Sequence, residues 1–216
     1  MMTMRLTEIQ FDALREAMNV GAGHATTRLA MMLGTRIQLQ IPSASLTPIA
    51  RIAALFGGPE TPVTAVCLHI RGSLSGNLVL FFPIEEARQL ADRLLSARRL
   101  ETDAPEALKQ SALKELGNIF SGAFVSALAT LADARLVYSV PGLATDMLQA
   151  VLDGLLVPWT SNAEQALVLQ TTYEVAGATI RGHVVFLPSA EGLDALLAAL
   201  HVEPLGSSTR EVKDEP

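Results

Sequence analysis

Asp12-Ala-Leu-Arg-Glu16-Ala-Met-Asn19 is followed, after 22 intervening residues, by Pro42, and Ser111-Ala-Leu-Lys-Glu115-Leu-Gly-Asn118 is followed, again after 22 intervening residues, by Pro141. The offset between the two asparagines is 99 residues, and so is the offset between the two prolines. A shared offset of this kind is what an internal duplication leaves, and an internal repeat governs every later inference about the fold.

At 3.6 residues per turn the acid or hydroxyl, the glutamate and the asparagine of each copy fall at about 0°, 40° and 340°, on one stripe of one helix. One such stripe alone reads as a solvated helix face. Two features argue for more. Asparagine competes with the backbone for hydrogen bonds and is a mediocre helix former, so its mid-helix position needs a reason. Proline makes up only about 5% of residues, so its return at a matching distance is not accidental.

The rest of the chain follows the duplication. Thr7, with Gln10 three residues on, opens the first motif helix as a capping box. Gly21 and Gly23 interrupt its pattern and predict close approach of another backbone, either a core element or a bound partner. Thr35–Pro42 alternates as a half-buried strand that Pro42 terminates. Ser43–Pro62 reads as a connection with a short helical piece over 48–56. Strands follow at Val63–Ile70 and Asn77–Phe82, and a helix runs from Pro83 to about Arg98, with acids in its first turn.

In the second copy Asp103 is the expected cap, with Glu106 three residues on, and Leu108, Ala112, Ile119, Ala123, Ala127 and Leu131 are the inward residues. Arg135–Val140 is a strand ending at Pro141, and Asp146–Val157 a short helix. Leu167–Val175 and Ile180–Leu187 pair around Gly177, and a last helix runs from Pro188 to about His201. Gly76-Asn-Leu-Val-Leu-Phe-Phe-Pro83 corresponds to Gly182-His-Val-Val-Phe-Leu-Pro188, one residue shorter. Each unit is helix, strand, short helix, strand, strand, helix. One unit has about three strands and barely covers its own apolar face; two units sharing a sheet with helices over it solve that burial problem. Repeat one spans about 7–100 and repeat two about 103–201 of a domain over 1–201, with 202–216 expected to be a disordered tail.

Composition narrows the function. Half of the 216 residues are hydrophobic, 18% are charged and the net charge is −6. Leu116–Ala132 is uncharged, but Asn118, Ser121, Ser126 and Thr130 interrupt it and it is too short for a membrane span, so it reads as a buried helix. No apolar leader follows the first residues, and a cytoplasmic protein is expected. The single Cys67 cannot form an intrachain disulfide, and His24, His69, His183 and His201 are scattered, so no metal site of the protein's own is expected. With no basic stripe, nucleic acid is not an expected partner. There is no Ser-His-Asp set and no phosphate loop. The second motif offers a single carboxylate, which excludes paired-acid glycoside chemistry.

The duplicated (Asp or Ser)-x3-Glu-x2-Asn-x22-Pro pattern, with Asn19-Val-Gly-Ala-Gly-His-Ala and Gly117-Asn118-Ile-Phe-Ser-Gly around it, resembles the CheC/CheX/FliY family of chemotaxis phosphatases over roughly residues 7–200. His24 departs from the asparagine that many relatives carry. The resemblance implies one α/β domain of two pseudo-twofold-related repeats with both motif helices exposed. It implies as substrate the phosphorylated aspartate of a CheY-type response regulator. Asn19 and Asn118 would orient the attacking water, for which a carboxamide that both donates and accepts is suited. Glu16 and Glu115 would pair with the regulator's phosphate-contacting lysine, and the regulator would bring its own Mg²⁺. Asp12 and Ser111 would fix the helix or its contact with the partner, and Pro42 and Pro141 would shape the neighbouring strand ends. The alternative is a non-catalytic adaptor that docks the regulator or the receptor deamidase CheD. A monomer is expected, because both motifs lie in one chain.

Overall fold

The computed structural model describes residues 7–33, 37–97, 105–156, 165–175 and 177–199. The first run of elements is α1 (Glu8–Leu33), β1 (Ile37–Pro48), a single 3-10 turn (Ile49–Arg51) leading into α2 (Ile52–Leu55), the hairpin β2 (Pro62–Arg71) and β3 (Gly76–Pro83), and α3 (Ile84–Ala97). The second is α4 (Glu106–Leu131), β4 (Val137–Tyr138), β5 (Gly142–Met147), α5 (Leu148–Leu156), the hairpin β6 (Gln165–Val175) and β7 (Ala178–Pro188), and α6 (Ala190–Ala199). The order is the one read from the sequence, except that the first strand of the second run is broken in two.

All pairings in the sheet are antiparallel, in the order β1-β6-β7-β3-β2-β4, with β5 also paired to β2. Each run lends its first strand to the other run's hairpin: β1 lies on β6, while β4 and β5 lie on β2. The two hairpins meet at β3 and β7. An isolated hairpin is marginal in water, and this exchange gives each one a third strand from the other half of the chain.

The sheet is covered on both faces. Leu78, Leu80 and Phe82 of β3 belong to the larger core, with Leu14, Met18, Leu29, Leu90, Leu94, Leu116, Phe120 and Leu196 of the long helices. Val79 and Phe81 belong to a smaller core on the other face, beneath Ile52 of α2 and Leu148, Val151 and Leu152 of α5. Burial on both faces explains why Leu78-Val-Leu-Phe-Phe82 is apolar without alternation.

Several boundaries differ from the sequence reading. The first strand continues past Pro42 to Pro48. The pairing shifts register between Gln40 and Ser43, so Ile41 and Pro42 stand opposite the single residue Thr171. In the second run Tyr138 pairs with Ile70 and Gly142 with Cys67, while the Ser139 amide donates to the His69 carbonyl. Val140 and Pro141 therefore face the single residue Leu68, and β5 follows where a connection was expected. Proline cannot donate to a ladder: Pro42 sits at a one-residue irregularity inside the edge strand β1, and Pro141 in the break between β4 and β5.

α5 begins at Leu148; Asp146 instead lies in β5, which ends at Met147, its Oδ1 accepting from the Met147 amide at 2.7 Å. The N-cap of α4 is Pro105, with no side-chain capping bond. Asp103, Val157, His201 and the tail 202–216 lie outside the described residues. Leu108, expected inside, is 39% exposed.

Candidate functional site

On α1 the buried hydrophobic side chains among the described residues are Leu14, Met18, Ala22, Ala25 and Leu29, spaced four, four, three and four apart. Their stripe is centred roughly 130° around the helix from the motif stripe. Asp12, Glu16 and Asn19 are consequently all exposed. α4 is embedded more deeply, with Ala112, Leu113, Leu116, Gly117, Phe120, Ser121, Ala123, Phe124, Val125, Ala127 and Leu128 buried. Those positions take up most of its circumference. What remains open is a narrow strip, and the second motif lies along it: Ser111 and Asn118 are exposed and Glu115 is half-buried. Each copy thus presents its acid and its carboxamide on one accessible line.

Close helix packing sets these strips in place. A Cβ at Gly21 would lie 2.9 Å from the Ala127 Cβ and 3.1 Å from the Ala123 carbonyl oxygen, so glycine is what lets α1 approach α4 there. Gly117, next to Asn118, has the same role against Val66 of β2. Gly23 does not: it is exposed and a Cβ there would meet nothing within 4 Å. Its second-copy counterpart, Gly122, lies under the Tyr138 hydroxyl, 2.7 Å from where a Cβ would be. Tyr138 therefore overlies α4 one turn beyond Asn118, a neighbour that sequence spacing could not reveal because β4 brings it there.

The two stripes differ in charge. Arg15 Nη2 lies 2.9 Å from Asp12 Oδ1, in an ion pair whose side chains are 52% and 64% exposed. The corresponding residues of α4 are Lys114 and Ser111. Sequence reasoning passed over both bases, although each stands one residue before a motif glutamate. Beside Asn19, an apolar groove of about 220 Å³ runs between α1 and α4, lined by Val20, Gly21, His24, Ser126, Ala127, Thr130 and Leu131. Pro42 and Pro141 lie in the sheet edges, at the irregularity and the break described above.

Among the described residues no cluster of three or more His, Cys, Asp or Glu side chains could hold a metal ion. No helix among them is long and apolar enough to cross a membrane. Chemically, each strip offers an acid able to pair with a cation and an amide able to hold a water.

Residues 108–143, which span the second motif, match the profile of the CheC-like family. The chain is 31% identical over 199 residues to the CheY-P phosphatase CheC of Bacillus subtilis (strain 168), covering 90% of this chain and 95% of that protein. It is 25% identical over 137 residues to the flagellar motor switch phosphatase FliY of the same organism, covering 63% of this chain and 35% of that protein. The crystal structure of Thermotoga maritima FliY shares the fold, with a TM-score of 0.71 at 20% identity over 92% of this chain and 98% of that one. With a duplicated motif on two helices and identity of this extent along nearly its whole length, the chain belongs to the CheC-like family.

Proposed function

We propose that the chain hydrolyses the aspartyl phosphate of a CheY-type response regulator, using both motif helices. Water attacks phosphorus, the bond between phosphorus and the aspartyl oxygen breaks, and inorganic phosphate, the free aspartate carboxylate and a proton result. Little covalent chemistry falls to the phosphatase in such a step, since phosphoryl transfer is largely positioning and charge stabilisation. Asn19 and Asn118 orient the water, donating and accepting through one amide. Glu16 and Glu115 pair with a cation of the regulator that contacts its phosphoryl group, and Mg²⁺ arrives with the regulator. Asp12 and Ser111 set the start of each strip.

The observation that carries this reading is the exposure of Asn19 and Asn118 along the open strips of two otherwise well-packed helices. A docked protein can reach both. The name of the Bacillus subtilis relative, a CheY-P phosphatase, supports the substrate.

The test is phosphate release from a phosphorylated CheY-type regulator with Mg²⁺, with and without catalytic amounts of this protein. Removing a preorganised group that acts on the transition state costs about 10²- to 10³-fold, so the Asn19→Ala, Asn118→Ala double variant should lose that much of the acceleration. Undiminished release by the double variant would remove the mechanism. Loss of phosphoregulator in proportion to added protein, without turnover, would identify a binding adaptor instead.

A further inference from the structure

The two strips hold a base at the same place and treat it differently. Arg15 and Lys114 are 99 residues apart and both are exposed. On a helical wheel each falls at about 300°, beside the asparagine at 340°. In α1 the guanidinium is bound to Asp12 at 2.9 Å. In α4 the residue at Asp12's position is Ser111, which carries no charge, and Lys114 forms no ion pair among the described residues. The nearest base along α4, Lys109, is itself paired with Asp92 at 2.8 Å. Asp12, Arg15 and Glu16 together leave one negative charge on the first strip, whereas Lys114 and Glu115 cancel on the second.

We infer that Lys114 is a charge determinant for recruiting the phosphorylated regulator to the α4 strip, and that the Asp12–Arg15 pair suppresses the same attraction at α1. The inference rests on the phosphatase reading and adds that the two sites differ in their electrostatics of encounter. An aspartyl phosphate arrives with negative charge, and the protein as a whole carries a net −6. An unpaired ammonium beside Asn118 offsets that repulsion locally. A guanidinium held against a carboxylate presents a dipole, whose field falls away faster. Charges at the rim of an interface act on association and its salt dependence more than on the chemical step. Lys114 is accordingly a positioning residue, and its removal should be felt in KM rather than kcat.

The test uses the full chain with one site at a time: Asn19→Ala leaves the α4 site, and Asn118→Ala leaves the α1 site. Phosphate release from phosphorylated regulator is followed at about 10 mM and about 100 mM salt, between which the screening length falls from roughly 30 to 10 Å. The α4-only protein should lose kcat/KM more steeply with salt than the α1-only protein. Lys114→Gln in the α4-only protein should lower kcat/KM about two- to fivefold at low salt, the range of one exposed charge interaction, through KM and with a flattened salt response. Asp12→Ser in the α1-only protein should raise kcat/KM by a similar factor and steepen its response. Matching salt responses with a silent Lys114→Gln would overturn the charge inference while leaving the phosphatase reading intact. Absence of turnover in both single-site proteins and in the unsubstituted chain would overturn both.

Discussion

Gly21 of α1 stands against Ala127 of α4, so close that a methyl group on the glycine would come within 2.9 Å of the alanine Cβ. Gly23, two residues along the same helix, faces open space. The pair separates two roles of glycine that look identical in sequence. Gly21→Val should destabilise the fold by about 1–3 kcal/mol, the cost of overpacking a tight contact. Gly23→Ala should stabilise it by up to about 1 kcal/mol, the difference in helix propensity. Denaturant titration of the two variants measures both signs.

Gly117 gives a prediction that links packing to the second strip. A Cβ there would run into Val66 Cγ1, and Val66 is fully buried in β2. Gly117→Ala should push α4 off the sheet at the residue before Asn118. Dephosphorylation by the Asn19→Ala protein, which retains only the α4 site, should fall at least about tenfold when Gly117→Ala is added, because small misplacements of a positioning group are costly. The same change in the Asn118→Ala protein should alter activity far less.

His183 of β7 lies against Phe56, with ring centroids 4.2 Å apart, and its buried Nδ1 has no hydrogen-bond partner among the described residues. Burial lowers its pKa from the ordinary value near 6.5. In the unfolded chain the imidazole takes up a proton as pH falls through that ordinary value, whereas in the folded chain it does so only at lower pH. Stability contributed by the neutral ring is therefore present above pH 6.5 and lost as pH falls below it. Thermal unfolding between about pH 7.5 and 5.5 should show a smaller fall in Tm for His183→Gln than for the unsubstituted protein.

Cys67 is the single cysteine of the chain, and desolvation raises its thiol pKa to about 12. Only the thiolate reacts with disulfide reagents, so at pH 8 the folded protein should react at least about a hundredfold more slowly than the denatured chain. Absorbance from a chromogenic disulfide, with and without denaturant, gives the ratio. A fast folded-state reaction would mean that β2 is open to solvent at Cys67.

Much of this organisation was legible from residue order. The 99-residue offset predicted two runs of elements, and α1 and α4 opened them. The apolar run from Leu78 to Phe82 marked β3, because a strand buried on both faces needs no alternation. The motif stripes could be placed on one face each, since helical periodicity is a local property.

Other features needed partners that residue order does not display. Pro42 read as a strand end, yet β1 runs on to Pro48 because β6 accepts a bulge there; Pro141 hid β5 for the corresponding reason on β2. Neither could be foreseen, as a ladder depends on which strand lies opposite. Leu108 looked like a core residue by its spacing and stayed outside, since the elements packed around α4 begin to cover it only further along.

The sequence by itself determined that an acid and a carboxamide share a line on each of two helices, because 3.6 residues per turn makes that geometry unavoidable. Tertiary structure alone decided that both lines face outward, that Arg15 is tied to Asp12 while Lys114 is not, and that Tyr138 crosses over Gly122. Those outcomes depend on which faces the shared sheet buries, and that choice is made by long-range packing between the two halves of the chain.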